Sequence, residues 1–310
     1  MIYEVRQQTL YRYGAPVPFS RQVAHQLPIS RAGQIVLDAD LDISPEPAER
    51  FDLSDFFGNR ITHFAFDRGH DHLTVTLTAR VEVLPAQSLL ERLTLPWEAV
   101  RAAAVASTDL GPDSPAHMLF ASPSVDLSAP ITAYAALSLA PGRTMLDAAV
   151  DLMKRIKADF RYVPGATDAR TRPSEAFAAR KGVCQDFAHV MIAGLRGQSL
   201  PARYVSGYLR TEPPKGQPRL EGADATHAWV EVWCGPEAGW IGFDPTNGIL
   251  AGEDHVVLAV GRDYSDVSPL EGVIVAYGDH SLEVKVDVIP HGRRPSEDVA
   301  SLPVTTRPRA

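Results

Sequence analysis

Two stretches decide the fold. Residues 182–197 read Gly182-Val183-Cys184-Gln185-Asp186-Phe187-Ala188-His189-Val190-Met191-Ile192-Ala193-Gly194-Leu195-Arg196-Gly197. Residues 227–246 read His227-Ala228-Trp229-Val230-Glu231-Val232-Trp233-Cys234-Gly235-Pro236-Glu237-Ala238-Gly239-Trp240-Ile241-Gly242-Phe243-Asp244-Pro245-Thr246. In the first, Phe187, Ala188, Met191, Ile192 and Leu195 recur at helical spacing, which predicts a helix beginning at Cys184. In the second, Ala228, Val230, Val232 and Cys234 alternate with His227, Trp229, Glu231 and Trp233, the period of a strand. The Gly-Pro-containing segment 234–239 turns the chain into a second strand, Trp240–Asp244, and Pro245 ends it. The two strands pair antiparallel, with Asp244 opposite His227 or diagonal to it, within about 4.5–8 Å.

That placement carries chemistry. A thiol at a helix N-terminus feels the positive end of the macrodipole and unpaired N–H groups, which favours the thiolate. The same N–H groups suit a developing oxyanion. An imidazole beside a carboxylate can take and return the thiol proton while the carboxylate holds its tautomer. Cys184, His227 and Asp244 therefore read as nucleophile, base and orienting acid. A buried structural Cys184 is the alternative when the cysteine is taken alone.

Working outward, Ile35, Leu37, Ala39, Leu41 and Ile43 alternate with aspartates, and Leu73 through Val83 alternate with Thr74, Thr76, Thr78, Arg80 and Glu82. Tyr3–Tyr13 and Ile61–Phe66 are weaker strands, the second entered through Phe57-Gly58-Asn59. Short alternating strands with turn signals predict an antiparallel β-sandwich over residues 1–85. Residues 86–142, with one helix at Trp97–Ala106 and Pro/Ser clusters, read as a connecting region. Residues 143–290 read as an α+β core. It has helices at Thr144–Phe160, Pro173–Ala179 and from Cys184. Its strands are Arg203–Leu209, Thr226–Cys234, Trp240–Asp244, Val256–Val260, Val273–Ala276 and Leu282–Ile289. Residues 291–310 read as a flexible tail.

The residues Gly182-Val183-Cys184-Gln185-Asp186-Phe187-Ala188, His227-Ala228-Trp229-Val230-Glu231, Gly239-Trp240 and Phe243-Asp244-Pro245-Thr246 resemble the transglutaminase-like superfamily. Tyr3–Tyr13, Asp55–Phe64 and Gly261–Leu270 resemble its bacterial branch of transglutaminase-like cysteine proteases. That resemblance implies an N-terminal β-sandwich ahead of a papain-like core, with Cys184 as nucleophile, His227 as general base and acid, and Asp244 as orienting acid. It also implies a second oxyanion donor upstream of the cysteine, for which Tyr162 is the candidate; a rim or core aromatic is the other reading of Tyr162. Gln185 and Asp186 follow the nucleophile where eukaryotic cross-linking enzymes carry a Trp. No dense acidic loop offers a calcium site.

Gln185 and Trp229 complete the candidate cleft, with core packing the alternative for Trp229. Asp186, in the first turn of the helix, suits structural support of its N-terminus. His189 lies five residues from Cys184, about 140° around the helix, poorly placed to be the base. His70-Asp71-His72 reads as an exposed turn rather than a metal site, and Asp254-His255 and Asp279-His280 lack a third ligand at useful spacing. Pro213–Pro218 reads as a lid or a solvated connection.

Composition sets the outer limits. The 310 residues suit about two domains, and 45% hydrophobic with 22% charged residues supports a sizeable core. A net charge of -8 argues against a nucleic-acid partner. Two cysteines exclude a disulfide scaffold and a four-cysteine zinc site. With neither a signal-like segment at the N-terminus nor a run of about 18 apolar residues, the expectation is a cytoplasmic protein without a membrane partner. The expected activity is amide hydrolysis on a peptide or protein, without metal or cofactor. Transamidation and non-catalytic peptide binding are the alternatives, and the oligomeric state stays open.

Overall fold

The computed structural model describes residues 1–85, 94–211, 224–275 and 278–292. The Pro213–Pro218 loop and residues 293–310 of the expected tail lie outside them. Six strands come first: β1 (Ile2–Val17), β2 (Phe19–Leu27), β3 (Gln34–Ser44), β4 (Glu49–Ser54), β5 (Arg60–Phe66) and β6 (His70–Val83). The core then runs α1 (Trp97–Val105), α2 (Ala129–Ala136), α3 (Met145–Asp159), β7 (Arg161–Tyr162), α4 (Pro173–Ala179), β8 (Lys181–Gly182), α5 (Cys184–Gly197), β9 (Ala202–Leu209), β10 (Ala225–Trp233), β11 (Trp240–Asp244), β12 (Ile249–Leu250) and β13 (His255–Gly261). Two last strands follow, β14 (Leu270–Val275) and β15 (His280–Pro290).

The sandwich is completed from the far end of the chain. Its sheets have the orders β15-β1-β6-β3 and β14-β2-β5-β4. β15 runs antiparallel to β1 from Tyr3↔Pro290 to Tyr13↔His280, and β14 runs antiparallel to β2. Val286 and Val288 enter the sandwich core with Tyr3, Val5, Leu77 and Val81, each burial worth roughly 1.5–3 kcal/mol. The boundary at residue 290 expected from sequence is therefore corrected: the last two strands belong to the sandwich. Alternation marks a strand but does not name its partner.

The expected connecting region 86–142 is corrected as well. Val100, Ala104, Val125, Ile131, Ala135 and Leu139 share one buried cluster with Met145, Leu152, Phe187, Met191 and Val230. α1 carries Val100 and Ala104 and α2 carries Ile131 and Ala135; α2 is capped by the Ser128 side chain and has a proline in its first turn, which suits a helix start.

Two strands expected from alternation need comment. In β3 the pairing with β6 shifts between Val36 and Asp38. The bulge turns Ile35 outward, 40% exposed, while Leu41 and Ile43 stay buried; an extra residue flips the faces of a period-two strand. β2 escapes a hydrophobicity reading because its buried face carries Ser20, Gln22 and Gln26.

The core sheet, β12-β11-β10-β9-β13, is antiparallel throughout. Helices cover one face, where Ala228, Val230 and Val232 pack against α5 and α3. The sandwich lies against the other. Arg31 of the sandwich and Arg203 of β9 both bond Glu231 of β10 at 2.8 Å, and Tyr3 donates to Asp254 at 3.0 Å. Among the described residues no helix is long and apolar enough to cross a membrane.

Candidate active site

Cys184 opens α5, half-buried, with Val183 as the N-cap. No side chain caps this end from the N-cap position. Asp186 does the work from inside the first turn: its Oδ2 accepts the Val183 N–H at 2.7 Å and the Thr167 hydroxyl at 2.6 Å. Asp186 is 2% exposed, and burial pushes its carboxyl up against the opposing pull of those two bonds. Gly182 makes room for it, since a Cβ there would fall 2.4 Å from Asp186 Oδ2. With Asp186 committed to Val183, the Cys184 and Gln185 N–H groups stay at the helix mouth, where helical geometry supplies no partner.

The hairpin register fixes the second half. Val230 faces Phe243 and Glu231 faces Gly242, so Asp244 falls beside Trp229 and diagonal to His227. His227 Nε2 meets Asp244 Oδ2 at 2.8 Å. Cys184 lies close enough to act on the imidazole electrostatically, and with Nε2 committed to Asp244, Nδ1 is the nitrogen left to face the thiol. Burial alone would push His227 down; the bonds and charges of Asp244 and Cys184 outweigh it and hold the imidazole up at about 9. An imidazolium therefore prevails at neutral pH.

Asp244 is fully buried yet well supplied. Its Oδ1 accepts the Thr246 and Asn247 N–H groups at 2.9 and 3.1 Å. Its Oδ2 takes Asn247 Nδ2 at 2.7 Å, His227 at 2.8 Å and His255 Nε2 at 3.4 Å. Burial raises the carboxyl, but these donors and the His227 charge leave it well below the usual carboxylate range. Sequence reading left out Asn247 and weighed His255 only with Asp254 as a metal ligand, so it missed that both hold Asp244. Asn247 lies in the turn after Asp244 and was within reach of a turn argument; His255 had no local signal.

The other sequence candidates divide. Tyr162, opposite Gly182 in the β7–β8 pair, stands beside Cys184 and is 52% exposed. Burial and the Cys184 charge push its phenol up, so the hydroxyl keeps its proton and can donate. Gln185 Nε2 donates to the Ala169 carbonyl at 3.3 Å, which ties it to the 163–172 loop. Trp229 is 1% exposed and so lines no open cleft. It stacks at 6.1 Å on His227 and meets His255 edge-on at 5.1 Å, with Val205 and Val260 beneath. His189 is buried and accepts the Tyr264 N–H; burial pushes it down to about 4, so it stays neutral. In the 70–72 segment, His70 packs against Tyr13 and Phe66 while His72 pairs outward with Asp71. Cys234 is buried among core residues.

Among the described residues one cluster has metal-ligand types: single atoms of His227, Asp244 and His255 lie within 4.8 Å of one another. The donor set does not fit a metal. Asp244 already accepts five hydrogen bonds, and the His255 Nδ1 lone pair accepts the Gly252 N–H, which leaves the ring proton on Nε2 facing the carboxylate.

Residues 3–82 match the bacterial transglutaminase-like N-terminal region and residues 133–245 match the transglutaminase-like superfamily. An uncharacterized protein of Mycobacterium tuberculosis is 39% identical over 300 residues, 93% of this chain and 92% of that one. The chain belongs to the transglutaminase-like superfamily. A Mycobacterium leprae protein, also uncharacterized, is 32% identical over 90% of this chain and 95% of its own. The fold of this transglutaminase-like chain is shared with a crystal structure of a candidate cysteine protease from Cytophaga hutchinsonii. There the TM-score is 0.67 at 21% identity, over 95% of this chain and 93% of that one. A protein-glutamine gamma-glutamyltransferase of Pseudomonas aeruginosa is 42% identical over 84 residues, 27% of this chain and 12% of that protein.

Proposed function

We propose that this protein is a thiol-dependent acyl-transfer enzyme on amide bonds, working mainly as a cysteine peptidase or amidase on a peptide or protein. The observation that carries the reading is His227, bonded to Asp244 at 2.8 Å and held beside Cys184, whose influence reaches the imidazole. Cys184 Sγ attacks the amide carbonyl, and the oxyanion forms at the α5 mouth near the Cys184 and Gln185 N–H groups, with the Tyr162 hydroxyl within the same rim. His227 gives its proton to the leaving amine, and the tetrahedral adduct collapses to a thioester. His227, now neutral, takes a proton from water as it attacks the thioester, which releases the acid and the thiolate. Proton transfer by a positioned imidazole contributes about 10²–10⁴-fold to such a step.

Transamidation uses the same thioester with an amine in place of water, and the 84-residue match to the Pseudomonas enzyme supports keeping it as the second reading. The test is a peptide-library cleavage profile of wild type against Cys184→Ala, with intact mass spectrometry for the acyl-enzyme. Cleavage and the acyl adduct are expected in the wild type and absent from the variant. Amidase activity that survives Cys184→Ala would sink the assignment. Stable incorporation of an amine probe into a glutamine peptide, with no cleavage, would replace hydrolysis by transamidation.

A further inference from the structure

His255 reaches the site from an unexpected direction. Asp244 ends β11 and His255 begins β13, three strand spacings away in the order β11-β10-β9-β13. In a flat sheet their backbones would be about 14 Å apart at ~4.8 Å per strand. Their side chains nevertheless meet at 3.4 Å, so the sheet curls, with Trp229 packed against both imidazoles inside the curl. Gly207 on β9 permits this: a Cβ there would lie 2.6 Å from the Trp229 ring and 2.1 Å from the Val256 carbonyl oxygen.

The tautomer of His255 is set by its own strand entry. Gly252 N–H donates to Nδ1 at 3.2 Å, and an imidazole nitrogen that accepts an N–H cannot carry a proton. The proton therefore sits on Nε2, which donates to Asp244 Oδ2. This contact, at 3.4 Å, is longer than the 2.8 Å bond from His227 to the same oxygen. His255 restrains the carboxylate without taking over the lone pair that His227 uses. Asn247 Nδ2 holds the same oxygen at 2.7 Å and two backbone N–H groups hold Oδ1.

We propose that His255 is a positioning residue of the Cys184–His227–Asp244 unit, acting through Asp244 as a fixed Nε2–H donor that keeps Oδ2 aimed at His227. The proposal rests on reading those three residues as one working unit. Two variants separate the hydrogen bond from the packing. His255→Phe keeps a ring against Trp229 but removes the donor. His255→Gln can place an amide N–H where Nε2 stood and so keeps the donor.

The readout is the rate of Cys184 alkylation by iodoacetamide at pH 7, followed by peptide mass spectrometry. It needs no substrate, so it separates failure of this proposal from failure of the hydrolase reading. Cys234, 0% exposed, serves as the internal monitor of opening. His255→Phe is expected to slow Cys184 labelling about tenfold, a loss in line with a misplaced catalytic group, with Cys234 still unlabelled. His255→Gln is expected to stay within about twofold of wild type. On the peptide substrate the Phe variant should lose kcat at unchanged KM. Wild-type labelling of Cys184 in the Phe variant would overturn the proposal. So would an equal loss in both variants, or Cys234 labelling that rises in the Phe variant.

Discussion

Replacing Asp244 by Asn tests the electrostatics of the site most directly. His227 is held at about 9 against an ordinary 6.5, which at about 1.36 kcal/mol per pH unit corresponds to about 3 kcal/mol in favour of the imidazolium. Burial pulls the other way, and Asp244 is the first group that opposes it. In Asp244→Asn the charge is gone and an amide N–H is forced among five donors, so His227 should titrate below 7. Following the histidine ring protons by NMR from pH 5 to 10, with His227→Gln to assign the resonance, reads this shift. Activity should fall by roughly 10³–10⁴, the loss seen when an orienting carboxylate becomes an amide. Stability carries the same signature. A histidine raised in the folded state stabilises fully below its unfolded value of 6.5, and that contribution is lost as pH rises through about 9. Urea unfolding of the wild type should therefore weaken between pH 6.5 and 9 by up to about 3 kcal/mol, and this His227-linked slope should be absent in Asp244→Asn. A variant whose His227 still titrates near 9 would refute the reasoning.

Gly182→Ala places a Cβ against Asp186 Oδ2 at 2.4 Å; it should cost about 1–3 kcal/mol in urea unfolding and slow Cys184 alkylation, by the loss of a buried hydrogen bond. Glu231 is buried between Arg31 and Arg203; burial raises its carboxyl but the two arginines bring it down to about 2. Its contribution is full above 4.5 and lost as pH falls through 2, so Glu231→Gln should cost about 3 kcal/mol at pH 7 and progressively less below pH 4.5, as read by urea titrations at each pH. Tyr162→Phe should lower kcat by about 10-fold or more with little change in melting temperature if the hydroxyl serves the oxyanion; unchanged kcat would leave Tyr162 as a rim aromatic.

The legible parts of the fold were those set by neighbours in sequence. Trp240–Asp244 and Pro173–Ala179 have the bounds that periodicity predicts, and α3 and α5 begin where the Thr144 cap and the apolar period place them. The hairpin loop alone was enough to put Asp244 within reach of His227. β2 was hidden because its inward face is polar, and α2 was hidden because a proline sits in its first turn and the helix is only eight residues long, whereas α1 was legible at Trp97.

Local pattern thus determined which segments are strands and helices, where the thiol stands on its helix, and that an imidazole and a carboxylate meet across one turn. Tertiary structure decided the rest. It set the β15 partnership with β1 across more than 260 residues, the bulge that inverts the start of β3, and the arrival of His255 at Asp244 around the curl of the sheet. The physical reason is range: backbone dihedrals and turn chemistry act over a few residues, whereas strand pairing and buried donors are chosen by whichever distant surface completes their hydrogen bonds and excludes water.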